Sequence, residues 1–181
     1  MKVVKTALPG VLILQPTVHG DARGYFFESF NQKQFEETTG HNVHFVQDNQ
    51  SRSMRGVLRG LHYQIKQPQA KLIRVLEGEV FDVAVDLRRS SPTFGKWTGW
   101  VLSAAAKQQM WIPEGFAHGY LVLSKTAELL YKVSDFYAPD DERTLIWDDP
   151  TVAIAWPAHE GPILSDKDKR GRLLGQAEVF A

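Results

Sequence analysis

Apolar and polar residues alternate along most of the chain in short runs that are typical of β-strands. Gly, Pro, Asn or Ser separates most of these runs, and these residues favour turns. We predict strands at residues 11–15, 24–29, 44–49, 57–64, 71–76, 80–87, 97–102, 108–112, 117–123 and 128–134. Consecutive short strands of this kind indicate an all-β protein built as an antiparallel sandwich or barrel.

Two short helices interrupt the predicted strands. Asn31 can cap a helix over Gln32–Thr39, which ends at Gly40. A second helix begins at Ser165, with Asp168 in its acidic first turn. A chain of 181 residues can close one substantial core. We therefore predict a single all-β domain over residues 1–181 with minor helices, including a C-terminal helical segment at about 165–181.

Composition narrows the function classes. Lys plus Arg equals Asp plus Glu at 21 each, so the zero net charge gives no sign of nucleic-acid binding, although a local anion pocket is allowed. The chain has no cysteine, which excludes disulfides and thiolate chemistry. No stretch approaches the length of a membrane span, and the apolar run at 11–14 is too short for a signal peptide. We expect a cytoplasmic protein.

His62 is the first candidate for chemistry. On an alternating strand it shares a face with Leu58 and Gly60, so it does not continue an outward polar row. The ordinary interpretation is a half-buried histidine with one backbone hydrogen bond. Arg59 and Lys71 place two more cationic groups in the same region, and three such groups repel unless an anion or a carboxylate joins them. We therefore favour a functional pocket, where histidine can move protons near neutral pH.

A second candidate is the motif Pro113-x-Gly115-x-x-His118. Its ordinary interpretation is a turn, in which Pro113 and Gly115 set the backbone and His118 is incidental. The spacing also matches the second sequence motif of the cupin barrels, whose histidine points inward from a strand.

Two barrel histidines raise the alternative of a metal site. A metal-binding cupin normally supplies a His-x-His pair and a glutamate from its first motif and one histidine from its second. This chain has His62-Tyr63-Gln64 where His-x-His would be needed. The remaining histidines show no ligand spacing: His19, His41, His44 and His159. We predict no metal.

Several other side chains have both an ordinary and a functional interpretation. Tyr131 is either a core aromatic residue or, facing a pocket, a proton donor. Tyr137 either packs within its loop or stacks on a base. Asp168 either begins a helix or fixes the tautomer of a pocket histidine. The segments 21–28 and 47–49 are a surface ion pair and a strand-ending turn in the ordinary interpretation, or substrate contacts in the functional one.

Together the motifs resemble the dTDP-4-dehydrorhamnose 3,5-epimerase family, from about the first strand to residues 165–168. The resemblance is carried by Asp21-x-Arg23-Gly24, Phe45-Val-Gln-Asp-Asn49, Leu58-Arg-Gly-Leu-His-Tyr-Gln64, Gly78-Glu-Val-Phe-Asp-Val-Ala-Val-Asp86, Ser91-Pro-Thr-Phe-Gly95 and Trp111-Ile-Pro-Glu-Gly-Phe-Ala-His-Gly119. Each motif alone is weak to moderate, whereas their order and spacing together are highly specific.

The resemblance implies a cupin-like jelly roll without cofactor or metal, usually a homodimer, that acts in the pathway to dTDP-L-rhamnose. It implies inversion at ring carbons 3 and 5 of dTDP-4-dehydro-6-deoxy-D-glucose through enolate intermediates. His62 would be the base, Tyr131 the opposing acid and Asp168 the partner of His62, while Lys71 would sit beside the keto oxygen. Tyr137 would stack on thymine. The other implied substrate contacts are Arg23, Glu28, Gln47, Asp48, Asn49, Arg59, His118, Glu142 and Lys167.

Three alternatives stay open at this level. An epimerase that inverts only one carbon, or one that acts on another 4-keto-deoxysugar, would carry the same machinery. A non-catalytic nucleotide- or sugar-binding cupin is disfavoured, because binding alone does not need a base opposed by an acid. A metal-dependent cupin oxygenase or isomerase would contain stoichiometric metal and lose activity with a chelator.

Overall fold

A computed structural model describes residues 1–158 and 160–181; His159, one of the histidines considered above, lies outside the described residues. The strands are β1 Lys2–Lys5, β2 Leu12–Gln15, β3 His19–Asp21, β4 Gly24–Phe26, β5 Gln47–Met54, β6 Leu58–Gln64, β7 Lys71–Glu77, β8 Glu79–Asp86, β9 Trp97–Ser103, β10 Gln109–Ile112, β11 Phe116–Val122, β12 Thr126–Val133 and β13 Glu142–Thr144. The helices are α1 Gln32–Thr39 and α2 Asp166–Lys169, and two 3-10 turns cover Pro139–Asp141 and Leu174–Gln176. Among the described residues, no helix is both long and apolar enough to span a lipid bilayer.

Two antiparallel sheets pack face to face. One has the strand order β1-β2-β10-β7-β12-β5 and the other β13-β6-β11-β8-β9, while β3 and β4 form a separate hairpin. The central core contains inward residues of both sheets, such as Ile73 and Leu129 from the first and Ala84 and Val122 from the second. Alternating strands bury one face each, so a two-layer sandwich removes most apolar side chains from water. The predicted all-β antiparallel sandwich is confirmed.

The first predicted helix is confirmed with its caps. The Asn31 side chain accepts a hydrogen bond from the Gln34 backbone N–H at 3.1 Å. Gly40 ends the helix with φ of +74°, a conformation that only glycine adopts without strain, and its N–H donates to Glu36 O. The apolar face of the helix buries Phe35 against Trp111.

The strand boundaries differ from the prediction where side chains serve something other than the core. The strand predicted at 44–49 begins at Gln47 and continues to Met54, over residues that are almost entirely polar. The inner face of this strand lines a polar cleft, so the usual apolar alternation is missing. The strand predicted at 24–29 ends at Phe26, and the hairpin that contains it is exposed. In the C-terminal segment, helical structure is limited to α2 and one 3-10 turn.

Candidate active site

A polar cleft of about 390 Å³ opens between the two sheets. The five-stranded sheet contributes His62 from β6 and His118 from β11, and the six-stranded sheet contributes Lys71 from β7 and Tyr131 from β12. The other residues of the lining are Gln47, Asn49, Ser51, Arg59, Tyr63, Gln64, Gln69, Tyr120, Tyr137, Glu142 and Lys167. His62 and Tyr131 therefore approach one space from opposite layers of the sandwich.

His62 is paired with a buried carboxylate. Its Nε2 lies 2.6 Å from Oδ1 of Asp168, whose residue is only 2% exposed. Ser165 caps α2 and also donates its hydroxyl to Oδ2 of Asp168 at 2.7 Å. Burial alone would raise the pKa of Asp168, but the hydrogen bonds from His62 and Ser165 outweigh it and hold that pKa below its ordinary value. An ionised Asp168 accepts a hydrogen bond from the Nε2–H group of His62, which leaves Nδ1 of His62 available as a base.

A β-bulge brings Arg59 onto the same side as His62. Simple alternation places residues three apart on opposite faces of a strand. Against β11, however, His62 pairs with His118 and Arg59 pairs with Tyr120, so β6 has one extra residue in this interval. Gly60 lies in the bulge with φ of +111°, and a Cβ there would be 2.6 Å from His118 O. Glycine is therefore required for the geometry that joins the two cleft residues.

Lys71 is a buried ammonium group at the start of β7. The residue is 7% exposed, and burial lowers the pKa of Lys71 to about 8. The negative charges of Glu142 and Asp82 oppose this effect in part, since they favour the protonated form. Lys71 is therefore a charged hydrogen-bond donor at neutral pH, inside a site where little water screens it.

Tyr131 and Arg59 complete this part of the cleft. Burial raises the pKa of Tyr131 above its ordinary value, with a further increase from Tyr120, so its hydroxyl keeps its proton at neutral pH. The Arg59 Nε donates to Ser53 Oγ at 3.1 Å, which orients the guanidinium group and leaves its terminal nitrogens free of protein hydrogen bonds among the described residues. A planar guanidinium group of this kind can bind phosphate oxygens through two directed bonds.

The outer part of the cleft is a connected polar network around Glu142. The Tyr137 hydroxyl donates to Glu142 Oε2 at 3.1 Å, and Lys167 Nζ donates to Oε1 at 2.8 Å. The Gln47 side chain donates to Asn49 Oδ1 at 2.8 Å and accepts from the Tyr137 backbone N–H at 3.3 Å. Tyr137 is 55% exposed as a residue, so it is accessible to a ligand that could stack on its ring.

Three of the expected site residues lie away from this cleft. Arg23 is on the exposed hairpin, where it forms an ion pair with Asp21. Glu28 accepts from Asn31 Nδ2 at 3.2 Å. Asp48 points to the opposite face of β5 from Gln47 and Asn49 and accepts from Lys132 Nζ at 3.0 Å. Strict alternation within β5 explains Asp48, because successive side chains of a strand alternate between its faces.

Two residues that support the cleft, Asp82 and Gln64, were not among the site residues expected from the sequence. Asp82 is completely buried on β8, and its Oδ1 lies 2.9 Å from His118 Nε2. A carboxylate inside the otherwise apolar run of β8 was the signal that could have identified it. Gln64 donates to Phe136 O and accepts from the Ala138 N–H, so it holds the loop that carries Tyr137.

Within the described part of the chain, no group of three or more His, Cys, Asp or Glu side chains could hold a metal ion.

Fold and cleft together define the class of this protein, a cupin-like β-sandwich whose polar cleft contains a paired histidine and carboxylate. Residues 5–176 match the family model of dTDP-4-dehydrorhamnose 3,5-epimerase. An enzyme of that name from Pseudomonas aeruginosa is 60% identical over 180 residues, which cover 99% of each chain. The chain therefore belongs to the dTDP-4-dehydrorhamnose 3,5-epimerase family, whose members are isomerases.

Two solved structures of epimerases are similar to this chain in fold and in sequence. The dTDP-6-deoxy-D-glucose-3,5-epimerase from Legionella pneumophila, in complex with dTDP-4-keto-L-rhamnose, is similar with a TM-score of 0.96 and 51% identity, covering 98% of this chain and 94% of that chain. A 3'-monoepimerase from Streptomyces bikiniensis, in complex with dTDP-quinovose, is similar with a TM-score of 0.88 and 36% identity, covering 93% and 86%. Enzymes that invert two carbons and one carbon therefore share this fold.

Proposed function

We propose that this chain inverts ring carbons 3 and 5 of dTDP-4-dehydro-6-deoxy-D-glucose, without a cofactor, in the pathway to dTDP-L-rhamnose. The observation that carries the proposal is the cleft in which His62, paired with a buried carboxylate, meets Tyr131 from the opposite sheet. The relatives at up to 60% identity, which are named as 3,5-epimerases, support the same reaction.

The chemistry follows from the 4-keto group of the substrate. A proton on carbon 3 or carbon 5 is acidic because the carbanion delocalises onto the ketone oxygen as an enolate. We assign His62 as the base that removes the proton, with Asp168 stabilising the imidazolium that forms. Tyr131 then donates its hydroxyl proton to the opposite face of the same carbon. One keto group activates both carbons, so the same pair can act twice once His62 has released its proton to solvent and Tyr131 has regained one from solvent.

Lys71 supplies the charge that this enolate requires. Its ammonium group is buried in the cleft and protonated at neutral pH. We assign it to the substrate's 4-keto oxygen, where negative charge develops as the proton leaves. A fixed donor in a site with little water stabilises that charge more than bulk solvent would.

The remaining cleft residues fit the nucleotide part of the substrate. Arg59 has guanidinium nitrogens available for the diphosphate. The exposed ring of Tyr137 can stack on thymine, and the network of Glu142, Lys167 and Gln47 holds that ring in place. Asn49 and His118 remain assigned to the sugar and the phosphates through their position in the lining.

The homodimer and the cytoplasmic location expected from the sequence belong to this proposal. The hairpin β3–β4 exposes 62% of Tyr25 and 70% of Phe26, and large exposed aromatic side chains favour burial by another chain. Arg23 lies on this hairpin and is absent from the lining of its own chain's cleft. We propose that the hairpin of one protomer brings Arg23 to the cleft of the other, with Glu28 beside it.

Complementation tests this arrangement. Arg23→Ala and His62→Asn would be co-expressed with separate tags and the mixed dimer purified. If the site is shared, each mixed dimer contains one intact site, and its activity should be about half that of the wild type. A mixed dimer as inactive as its parents would show that Arg23 does not act across an interface.

The decisive experiment for the activity is product analysis by NMR in deuterated water with the 4-keto substrate. The expected result is deuterium at carbons 3 and 5 together with inversion at both. Deuterium and inversion at one carbon only would establish the alternative, a monoepimerase like that of Streptomyces bikiniensis. His62→Asn should lower the exchange by about 10²–10⁴-fold while nucleotide binding is retained. His44→Asn, an exposed histidine outside the cleft, is the matched control and should exchange normally.

A further inference from the structure

Asp82 is a buried carboxylate for which the reaction above has no direct use. It lies on β8, an inner strand of the five-stranded sheet, and is 0% exposed. Its neighbours along the strand are mostly apolar and buried. One oxygen, Oδ1, lies 2.9 Å from His118 Nε2, while Oδ2 has no hydrogen-bond partner among residues 1–158 and 160–181. A buried carboxylate oxygen without a hydrogen-bond partner destabilises the fold, so packing alone does not explain the presence of Asp82.

The residues around Asp82 indicate what this carboxylate does. His118 is 7% exposed and lines the cleft, so Asp82 lies directly behind a cleft residue. Lys71 lies on β7 of the other sheet, and the charge of Asp82 favours the protonated form of Lys71. In a region of low dielectric, the charge of Asp82 is screened less than it would be in water. The charge therefore acts on the cleft although the carboxylate does not line it.

We propose that Asp82 is a positioning residue that keeps the ammonium group of Lys71 charged and holds His118 in the tautomer with its proton on Nε2. Asp82 accepts a hydrogen bond from that Nε2–H group, which leaves Nδ1 of His118 as a hydrogen-bond acceptor for a hydroxyl group of the sugar. The ammonium of Lys71 stays available for the keto oxygen. This inference rests on the proposed function for its catalytic consequence, but its electrostatic part concerns the free protein.

Other groups of the cleft also act on Lys71 and must be held constant. Glu142 from β13 favours the charged form most strongly, ahead of Asp82. The other ionisable groups that line the same cleft are Arg59, His62 and Tyr63 on β6, His118 and Tyr120 on β11, Tyr131 on β12, Tyr137 and Lys167. A variant that removes only the charge of Asp82 leaves all of them in place.

Asp82→Asn is that variant, because the amide keeps the shape of the carboxylate and can still accept from His118. We expect kcat to fall by at least tenfold with KM changed less than threefold. The alkaline limb of kcat/KM should move to lower pH by about one unit, since Lys71 loses a stabilising charge. Asp86→Asn is the matched control, a buried carboxylate on the same strand that binds Arg88 and does not face the cleft. It should lower stability and leave the position of the alkaline limb unchanged.

A measurement without substrate separates this inference from the proposed reaction. The pKa of Lys71 is read from the 13C shift of its Cε carbon, assigned with Lys71→Arg, in the wild type and in Asp82→Asn. We expect a lower midpoint in the variant, and an unchanged midpoint would overturn the inference even if epimerisation is normal. Should the variant fail to fold, 15N shifts of the wild-type imidazoles decide: His118 must carry its proton on Nε2, and a proton on Nδ1 would overturn the proposal. If the wild type does not epimerise the substrate although Asp82→Asn lowers the midpoint of Lys71, the proposed function is rejected and the electrostatic part of the inference stands.

Discussion

Nε2 of His62 lies 2.6 Å from Oδ1 of Asp168, although the two residues are 106 positions apart in the chain. Asp168 reaches the imidazole because Ser165 caps a helix of one turn whose only buried side chain is Asp168. The local cap therefore helps to orient the carboxylate toward the imidazole. This pairing fixes which nitrogen of His62 faces the cleft, and it supplies a negative charge for the imidazolium form.

Asp168→Asn should therefore impair proton abstraction more than binding. The amide retains the volume of the carboxylate but cannot stabilise a positive imidazole, so we expect kcat to fall by about 10²–10³-fold. KM should change little, since Asp168 does not line the cleft. Steady-state kinetics measures both, with Asp166→Asn, an exposed residue of the same helix, as control. Activity within threefold of the wild type would remove Asp168 from the mechanism.

Tyr131→Phe separates the two halves of the reaction. The phenylalanine cannot donate a proton, whereas His62 and Asp168 remain intact on the other side of the cleft. Deuterium exchange from solvent should persist, while completed inversion should fall by about 10²-fold or more. Both are measured by NMR on one sample of the 4-keto substrate. Full yield of inverted product would show that another group is the acid.

The charge of Lys71 predicts an alkaline limit to activity. Burial lowers its pKa to about 8, so the free enzyme loses the ammonium charge above that pH. We expect kcat/KM to fall as pH rises through about 8, because the enolate then lacks its charged donor. In Lys71→Arg the guanidinium keeps its charge, so whatever activity remains should not decline in this range. A limb at the same pH in both enzymes would assign it to a different group.

Deprotonation of Lys71 lowers activity as pH rises, but it should raise the stability of the fold. Below about pH 8, Lys71 is charged in the folded and unfolded chains alike, and the cost of burying the charge is fully present. Between about 8 and its ordinary value of 10.5, the unfolded chain binds more protons, so the contribution of Lys71 to the free energy of unfolding rises with pH. Denaturation of the wild type and Lys71→Met across this window should show a smaller rise in the variant.

Much of the fold follows from local patterns, and the deviations have physical causes. Asn31 and Gly40 identify α1 because caps are set by neighbouring backbone groups. The polar strand β5 was only partly recognised, because its inner side chains face the cleft instead of apolar core. Pattern alone could not show that His62 and Arg59 share a side, since that requires the bulge at Gly60. The roles of the site residues came from resemblance to a family, not from periodicity.

Asp86 predicts an acid-dependent loss of stability. Its buried carboxylate accepts from the Arg88 backbone and guanidinium and from the hydroxyls of Ser91 and Thr93. Burial favours the protonated form, but these donors outweigh it and lower the pKa of Asp86 to about 2. The stabilisation is complete above the ordinary value of 3.8 and is lost as pH falls from there through about 2.

Asp86→Asn should lower the free energy of unfolding by about 3 kcal/mol at neutral pH, because it leaves Arg88 without its counter-ion. The difference from the wild type should shrink as pH falls through the same window. Urea denaturation at several pH values measures this, with the exposed Asp140→Asn as control. A difference that stays constant down to pH 2 would mean that the charge of Asp86 is not what stabilises the turn.

Gly60→Ala tests whether the bulge in β6 builds the site. A Cβ at this position would lie 2.6 Å from His118 O and 2.7 Å from Gly119 Cα, both of them backbone atoms that cannot move aside. The positive φ of Gly60 adds strain for any side chain. We expect a loss of about 2–4 kcal/mol in unfolding free energy, and a larger loss of kcat than of substrate binding in the fraction that folds.

Gly175→Ala is the matched control, because a Cβ there meets nothing within 4 Å. It should be neutral or slightly stabilising, since alanine reduces the freedom of the unfolded chain. Both proteins are compared by thermal denaturation and by kcat/KM at a temperature where each is folded. If Gly60→Ala retained wild-type stability and activity, β6 could adopt a regular register without harm. The shared orientation of Arg59 and His62 would then not depend on the bulge.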